Sequence, residues 1–310
     1  MRFVLVGEVR TAEFGLRGLL RAGCEPARLI TTDTARVQPA SGMAPEYYAD
    51  LIGLGREHGL ATTVVDAPGE IAGVLAELAP DYVYVLGWPY LVRQPVLDIA
   101  PCIGMHPTRL PARRGGAPLN WTILDGERES AVSLLRLRNG VDDGELLAQR
   151  EFAIGPDDYV GDLVERVYAI TEELVASTAR ALADGGAQWR TQEHACATYT
   201  RRRKPEDGRI AWCDSAPRIR NLVRAVSRPY PGAFTFLEAT RLTIWRAEVP
   251  RGYRAPLRAV PGQLLEVNAD GVLVATRDNA LRLTELTCHD AEGGELPLES
   301  LGVRVGEVLG

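Results

Sequence analysis

Two side chains of this sequence could together move a proton to or from a reacting group. His106 follows an apolar run that ends at Ile103, and Asp142 lies in a turn formed by residues 140–144. Histidine titrates near neutral pH, and a neighbouring carboxylate fixes its tautomer and stabilises the imidazolium. The pair could therefore act in general acid–base catalysis. Spacing alone also leaves a structural role open, because a histidine beside a proline such as Pro107 is often a cap.

These two residues need a framework that brings the end of a strand close to a turn. In the first half of the sequence, apolar runs alternate with segments of helical spacing, which predicts a mostly parallel, doubly wound sheet. The predicted strands are residues 3–7, 27–31, 61–65 and 82–86, and the predicted helices are residues 13–20, 46–58 and 69–78. Ligands of such sheets bind at the carboxyl ends of the strands. We therefore expect the site in the loops after Leu86 and Ile103, the second of which would contain Gly104 and His106.

The second half of the sequence changes character. A predicted hairpin and a long amphipathic helix complete the first part, over residues 131–137, 146–154 and 159–184. Beyond an arginine-rich link and one further helix, residues 216–225, five short runs predict strands: 233–237, 242–249, 263–268, 272–276 and 280–286. Short strands at close intervals with Pro-Gly and Asp-Gly turns favour a small barrel. We predict a domain over residues 1–190, a linker over 191–209 and a barrel domain over 210–310.

Composition excludes several classes of protein. With 46% hydrophobic and 25% charged residues, the chain resembles ordinary globular proteins, and no apolar run approaches the ~20 residues of a membrane span. The N-terminus lacks the features of a signal peptide, so the expected compartment is the cytoplasm. The five cysteines form no CxxC pair and have no zinc-binding spacing with the four histidines. The sequence therefore predicts no metal site.

Longer motifs surround the histidine and the aspartate. Residues 104–121 read GMHPTRLPARRGGAPLNW, and residues 141–149 read VDDGELLAQ. They resemble the signature of the formyltetrahydrofolate-dependent formyltransferases, especially the branch that formylates sugar nucleotides such as UDP-4-amino-4-deoxy-L-arabinose. Residues 224–226, 229–234 and 243–245 resemble the carboxy-terminal barrel of the same family. The resemblance implies a Rossmann-like formyltransferase domain followed by an OB-like barrel.

The resemblance also implies roles for individual residues. His106 would take a proton from the attacking amine or pass it to the departing folate nitrogen, while Asp142 would orient His106. The formyl donor would be 10-formyltetrahydrofolate. Its pterin would lie against backbone groups of residues 86–90 and 140–142, near the tight basic turn of residues 113–115. The cofactor-binding residues implied in this way are Leu86, Gly87, Trp88, Tyr90, Arg114, Gly115 and Val141. For the arginines of the basic turn, simple pairing with surface carboxylates remains an alternative.

The sequence departs from the family at one catalytic position. The family pattern is Asn-x-His, and its asparagine holds the formyl oxygen as negative charge builds on it. Here Gly104 stands at that position. Loss of one such donor typically costs about 2.7–4 kcal/mol of transition-state stabilisation. Either a backbone N–H, a protonated His106 or an ordered water replaces the donor, or the activity is altered.

Four functions remain open from the sequence. A nucleotide-linked amino sugar is the favoured acceptor, and neither a nucleic acid nor a membrane is an expected partner, whereas a homodimer is compatible with the sequence. Formylation of methionyl-tRNA is the second reading, but that branch uses a basic loop, and residues 34–45 contain a single basic residue, Arg36. The third reading is a non-sugar amine of natural-product biosynthesis. The fourth is a folate-binding relative whose catalysis is impaired.

Overall fold

The computed structural model describes residues 1–33, 47–289, 294–296 and 303–310. Residues 34–45, whose low basic content argued against tRNA, lie outside the described residues. The chain divides into two compact units. The first comprises residues 1–118, 128–155 and 163–202, and the second comprises residues 119–127, 156–162 and 203–310. The sequence predicted a single division of the chain, at a linker over residues 191–209. In the structure, residues 119–127 and 156–162 also belong to the second unit, although the chain on either side of each segment belongs to the first.

The first unit is built on a seven-stranded sheet in the order β3-β2-β1-β4-β5-β7-β8. Strands β1 to β5 are parallel, whereas β7 and β8 are antiparallel to their neighbours. A separate parallel pair is formed by β6 and β9. In chain order the strands are β1 (Phe3–Val6), β2 (Arg28–Thr31), β3 (Thr62–Val64), β4 (Tyr82–Val85), β5 (Cys102–His106), β6 (Arg114–Gly115), β7 (Glu129–Arg136), β8 (Leu146–Ala153) and β9 (Tyr199–Thr200).

The central strands are apolar because a parallel sheet is covered on both faces. All four residues of β1 are buried, and Val83, Tyr84 and Val85 of β4 are buried beside them. This confirms the predicted doubly wound class. The α-helices among the described residues are α1 (Thr11–Arg21), α2 (Leu51–Glu57), α3 (Ile71–Leu78), α4 (Val96–Ile99), α5 (Pro118–Leu124), α6 (Val160–Ala183) and α7 (Ala216–Val226). Within the described part of the chain, none of them is long and apolar enough to cross a membrane.

Two sequence predictions need correction. The strand predicted to end at Ile103 continues to His106, so Gly104 lies within β5 rather than in a loop. It continues because β7 pairs with it antiparallel along its length, up to the pair His106 and Ser133. The helix predicted from residue 46 begins only at Leu51. Asp50 is its N-cap, where the carboxylate accepts a hydrogen bond from a backbone N–H of the first turn.

The second unit contains an antiparallel sheet in the order β10-β11-β14-β13-β12, with β15 beside β14. Its strands are β10 (Ala233–Leu237), β11 (Thr240–Glu248), β12 (Leu264–Asn268), β13 (Gly271–Ala275), β14 (Ala280–His289) and β15 (Glu295–Leu296). The C-terminal segment bonds to both outer strands of this order. Gly310 and Phe236 exchange two backbone hydrogen bonds, and Leu264 N–H donates to Glu307 C=O. The segment thereby joins β10 to β12 and closes the predicted barrel.

Candidate functional site

His106 is placed at the carboxyl end of β5 with both ring nitrogens facing acceptors. Its side chain is only 6% exposed. Nε2 lies 2.8 Å from the backbone oxygen of Arg113, and Nδ1 lies 3.5 Å from Oδ2 of Asp142. A carbonyl oxygen can only accept, so Nε2 carries a hydrogen. Nδ1 is therefore the nitrogen that can gain or lose a proton, and the carboxylate beside it stabilises the protonated ring.

Asp142 is held in this position by the tight turn that contains Gly115. The backbone N–H of Gly115 donates a 2.8 Å hydrogen bond to the same carboxylate oxygen that faces His106. Gly115 has φ +100°, and a Cβ on it would lie 2.5 Å from the backbone oxygen of Thr200. Asp142 itself has φ +49°, a left-handed conformation that short polar side chains tolerate. Backbone geometry on both sides thus fixes the carboxylate.

Arg114 supports the aspartate from the interior. It is 1% exposed, and its guanidinium donates to Gln192 Oε1 at 2.8 and 3.3 Å and to the Tyr199 hydroxyl at 3.1 Å. It also lies 3.2 Å from Nδ1 of His194. The amide of Gln192 in turn donates to the backbone oxygen of Asp142 at 2.8 Å. The hydrogen-bond partners of Arg114 are therefore neutral groups. For this arginine, the alternative that it simply pairs with a surface carboxylate is wrong.

Three members of this network, Gln192, His194 and Tyr199, lie in the segment predicted as a linker and are not among the predicted site residues. Tyr199 pairs with Arg114 through the two short strands β9 and β6. Nothing in the local sequence identifies these residues, since their importance arises from a pairing about 80 residues apart in the chain.

Gly104 lies beneath an apolar side chain. A Cβ on Gly104 would lie 2.5 Å from Cδ2 of Leu137, the residue that follows β7. Leu137 packs on the apolar core that also contains Val85 and Cys102. A side chain that began at position 104 would therefore collide with Leu137. Glycine itself supplies no side-chain hydrogen-bond donor at this position.

The loop predicted to bind the pterin follows β4, the strand next to β5. Leu86 is fully buried against Gly15 of α1, and its backbone N–H donates to the carbonyl of Val6 at 2.9 Å. Gly87 has φ +62° and accepts backbone hydrogen bonds from the loop after β1. Trp88 and Tyr90 pack edge to face with ring centres 5.1 Å apart. The structure thus places these residues one strand away from His106.

A cavity of about 660 Å³ adjoins the turn that carries Asp142. Its apolar walls include Leu97, Ile99 and Leu137, and one carboxylate oxygen of Asp143 is buried there without a hydrogen-bond partner. Burial raises the pKa of the Cys102 thiol to about 12, so this lining residue is a neutral group at physiological pH. The remaining lining residues are Gln94, Asp98, Ala100, Pro101, Arg136, Arg138, Asn139 and Gly140. Most of the residues that line this cavity are not among the predicted site residues. Val141, which was predicted to bind the cofactor, lies in the adjoining turn and is 52% exposed.

Among the described residues, no group of three or more His, Cys, Asp and Glu side chains is arranged to hold an ion.

A buried histidine beside a carboxylate, at the carboxyl end of a strand in a doubly wound sheet, is an arrangement found in α/β enzymes that use acid–base catalysis. Sequence comparison makes this specific. Residues 42–178 match the profile of the formyl transferase family, and residues 202–293 match the profile of the formyl transferase C-terminal domain. A methionyl-tRNA formyltransferase of Citrifermentans bemidjiense is 32% identical over 292 residues, which cover 92% of this chain and 88% of that relative. The chain belongs to the formyl transferase family.

Solved structures share the fold. HypX from Aquifex aeolicus in complex with tetrahydrofolic acid matches 97% of this chain with a TM-score of 0.67 and 19% identity, and the chain spans about half of its length, 46%. An N-formyltransferase from Helicobacter canadensis, in complex with folinic acid and dTDP-3-aminofucose, matches 92% of this chain and 99% of its own, with a TM-score of 0.67 and 16% identity. At these identities the likeness concerns the fold alone.

Proposed function

We propose that this protein transfers a formyl group from 10-formyltetrahydrofolate to a primary amine, most favourably that of a nucleotide-linked amino sugar. The observation that carries the proposal is the buried His106 with Nδ1 3.5 Å from the Asp142 carboxylate. Formyl transfer between two nitrogens needs a proton carried from one to the other and no covalent enzyme intermediate. A single histidine stabilised by a carboxylate suffices for that task.

The proposed reaction is a balanced exchange of bonds. The neutral amine attacks the formyl carbon, a C–N bond forms, and the bond between that carbon and the folate nitrogen breaks. One proton leaves the attacking nitrogen and one arrives at the departing nitrogen. His106 Nδ1 holds the proton between these events, and Asp142 stabilises the protonated ring. The turn around Gly115 keeps the carboxylate in place throughout.

The cavity beside the Asp142 turn supports a folate donor. Its apolar walls suit the faces of a flat heterocycle, and its volume lies in the range of small-molecule sites. The unpartnered Asp143 oxygen could accept an N–H from the amide-like edge of a pterin. We therefore place the pterin between this cavity and the loop of Leu86, Gly87, Trp88 and Tyr90. The HypX and Helicobacter canadensis structures, which contain folates, add support.

The close packing of Leu137 over Gly104 leads to a prediction about stability. Gly104→Asn forces Leu137 to move, so we expect the free energy of unfolding to fall by about 1–3 kcal/mol. In the double variant with Leu137→Ala the space is free, and the two changes together should cost at least about 1 kcal/mol less than their sum. Urea denaturation of the four proteins in this cycle measures the coupling. Strict additivity would show that Leu137 does not occupy the asparagine position.

A second acceptor is favoured by a specific observation, the methionyl-tRNA formyltransferase that is 32% identical over 292 residues. The two acceptors are separated by one experiment. The protein is incubated with 10-formyltetrahydrofolate and UDP-, dTDP- and GDP-linked amino sugars or methionyl-tRNA, and products are analysed by mass spectrometry. We expect the mass gain of one CO unit on an amino sugar and none on methionyl-tRNA. Gain on methionyl-tRNA alone would establish the second function instead.

We further propose that the protein works in the cytoplasm. All five cysteines are free thiols, and two of them, Cys196 and Cys213, are exposed. Free exposed thiols suit a reducing compartment.

A further inference from the structure

We propose that Glu8 binds a hydrogen-bond donor of the acceptor molecule, either a hydroxyl or an ammonium group other than the amine that is formylated. This inference rests on the proposed function, because it assigns the acceptor to one side of the same sheet edge. The motifs that resemble the formyltransferases do not include Glu8.

Glu8 lies just beyond β1, at the meeting point of three segments. Its backbone N–H donates to the carbonyl of Gly87 at 3.1 Å, and its own carbonyl accepts from Ala49 N–H at 2.8 Å. The hydroxyl of Thr32, which follows β2, donates to carboxylate oxygen Oε2 at 2.8 Å. Glu8 is therefore held by its backbone on both sides and by one hydroxyl.

The second carboxylate oxygen of Glu8 is left without a partner. Glu8 is 1% exposed, and Oε1 is buried with no hydrogen bond and no cation within ion-pair distance among the described residues. A buried carboxylate is unfavourable unless its oxygens are satisfied. An unsatisfied buried group requires an explanation, and ligands of such sheets bind at the carboxyl ends of the strands, where Glu8 lies.

The position of Glu8 in the sheet assigns it to the acceptor. Glu8 follows β1, which lies on the side of β4 opposite to β5 and to the cavity beside the Asp142 turn. Neighbouring strands lie about 4.8 Å apart, so the ends of β1 and β5 are separated by about 10 Å. A small acceptor whose amine reaches His106 can therefore place a second polar group at Glu8.

The surroundings of Glu8 favour a donor and disfavour an anion. The pKa of the Tyr90 phenol is raised, mainly by partial burial and secondly by the charge of Glu8. Tyr90 is therefore a neutral neighbour of Glu8. A carboxylate accepts strong hydrogen bonds from hydroxyl and ammonium groups and repels phosphate. The diphosphate of a nucleotide sugar must consequently lie away from Glu8, and a sugar hydroxyl or a second amine must lie against it.

The first test needs no ligand. Glu8→Gln keeps an oxygen for the Thr32 hydroxyl and removes the buried charge, so we expect the Tm of the ligand-free protein to rise by about 2–6 °C. Glu13→Gln is the matched control, because the Glu13 carboxylate pairs with Arg17 and Arg10. The control should leave Tm unchanged or slightly lower. A fall in Tm for Glu8→Gln would mean that the carboxylate is a structural group, and the proposal would be wrong.

The second test measures binding by calorimetry in the absence of a formyl donor. The probes are 3-amino-3-deoxyglucose, which has hydroxyl groups, 1,5-diaminopentane, which has a second ammonium, and cyclohexylamine, which has neither. We expect the native protein to bind one of the first two at least ten times more tightly than cyclohexylamine. Glu8→Gln should abolish this preference, and Glu13→Gln should retain it.

The two donor probes identify the source of the donor, since preference for the sugar indicates a hydroxyl and preference for the diamine an ammonium. Equal binding of all three probes by the native protein, or an unchanged preference in Glu8→Gln, would overturn the proposal. Neither test requires formyl transfer. If the protein fails to formylate any amine, the proposed function fails while the binding result for Glu8 stands separately.

Discussion

His106→Asn should lower kcat for formyl transfer by about 10²–10⁴-fold while leaving the fold intact. Nδ1 of His106 lies 3.5 Å from the Asp142 carboxylate, and general acid–base catalysis typically contributes a factor of this size. The asparagine cannot exchange a proton at that position. Steady-state kinetics with the acceptor identified by mass spectrometry measures the effect, and circular dichroism verifies the fold.

Two further variants test whether this loss comes from proton transfer. Asp142→Asn keeps an oxygen that can accept from the Gly115 N–H, but it removes the charge beside His106, so we expect a 10- to 1,000-fold lower kcat with little change in KM for the folate. His58→Asn is the control, because His58 is exposed at the end of α2 and should leave kcat unchanged. Loss of less than threefold in His106→Asn would exclude the histidine as the proton carrier.

Arg114→Met should have the largest effect on stability, lowering the free energy of unfolding by about 2–4 kcal/mol. The methionine fills part of the space but leaves the buried oxygen of Gln192 without its two donors, and such an unsatisfied group costs about 1–3 kcal/mol. The hydrogen bonds to Tyr199 and His194 are lost as well. Because Gln192 also binds the backbone of Asp142, kcat should fall together with stability.

Arg109→Met provides the matched comparison on the same segment. Its guanidinium is 44% exposed and pairs with Glu129 and Glu151 at 2.9 Å. Exposed ion pairs contribute about 0–1 kcal/mol, so the free energy of unfolding of Arg109→Met should lie within about 1 kcal/mol of that of the native protein. Urea denaturation of both variants, together with their kcat, measures the difference. Equal stabilities for Arg114→Met and Arg109→Met would show that the buried network does not hold the site.

The motifs of the sequence predicted the two catalytic candidates and the family for a local reason. Residues 104–121 and 141–149 are continuous segments, and a continuous segment can be compared with a family signature without knowing the fold. Alternation of strands and helices likewise predicted the doubly wound sheet, since the apolar pattern of β1 and β4 depends only on burial of both faces. The five short strands predicted the barrel domain in the same way.

Contacts between distant segments could not be predicted. The extension of β5 to His106 depends on β7, and the closure of the barrel depends on residues at the C-terminus that bond to both outer strands. Leu137 covers Gly104, and Gln192 reaches Asp142 from 50 residues away. None of these contacts produces a periodic pattern in the sequence, because each depends on how whole strands and helices pack against one another.

The sequence by itself carried the motifs of the formyl transferase family, to which the chain belongs, and it predicted His106 and Asp142 as the catalytic pair, with Gly104 in place of the family's asparagine. Only the tertiary structure decided how the pair is held, through the turn of Gly115 and the buried guanidinium of Arg114. It also revealed the unpartnered carboxylate of Glu8. Residue types are written along the chain, whereas burial and hydrogen-bond satisfaction are properties of the packed molecule.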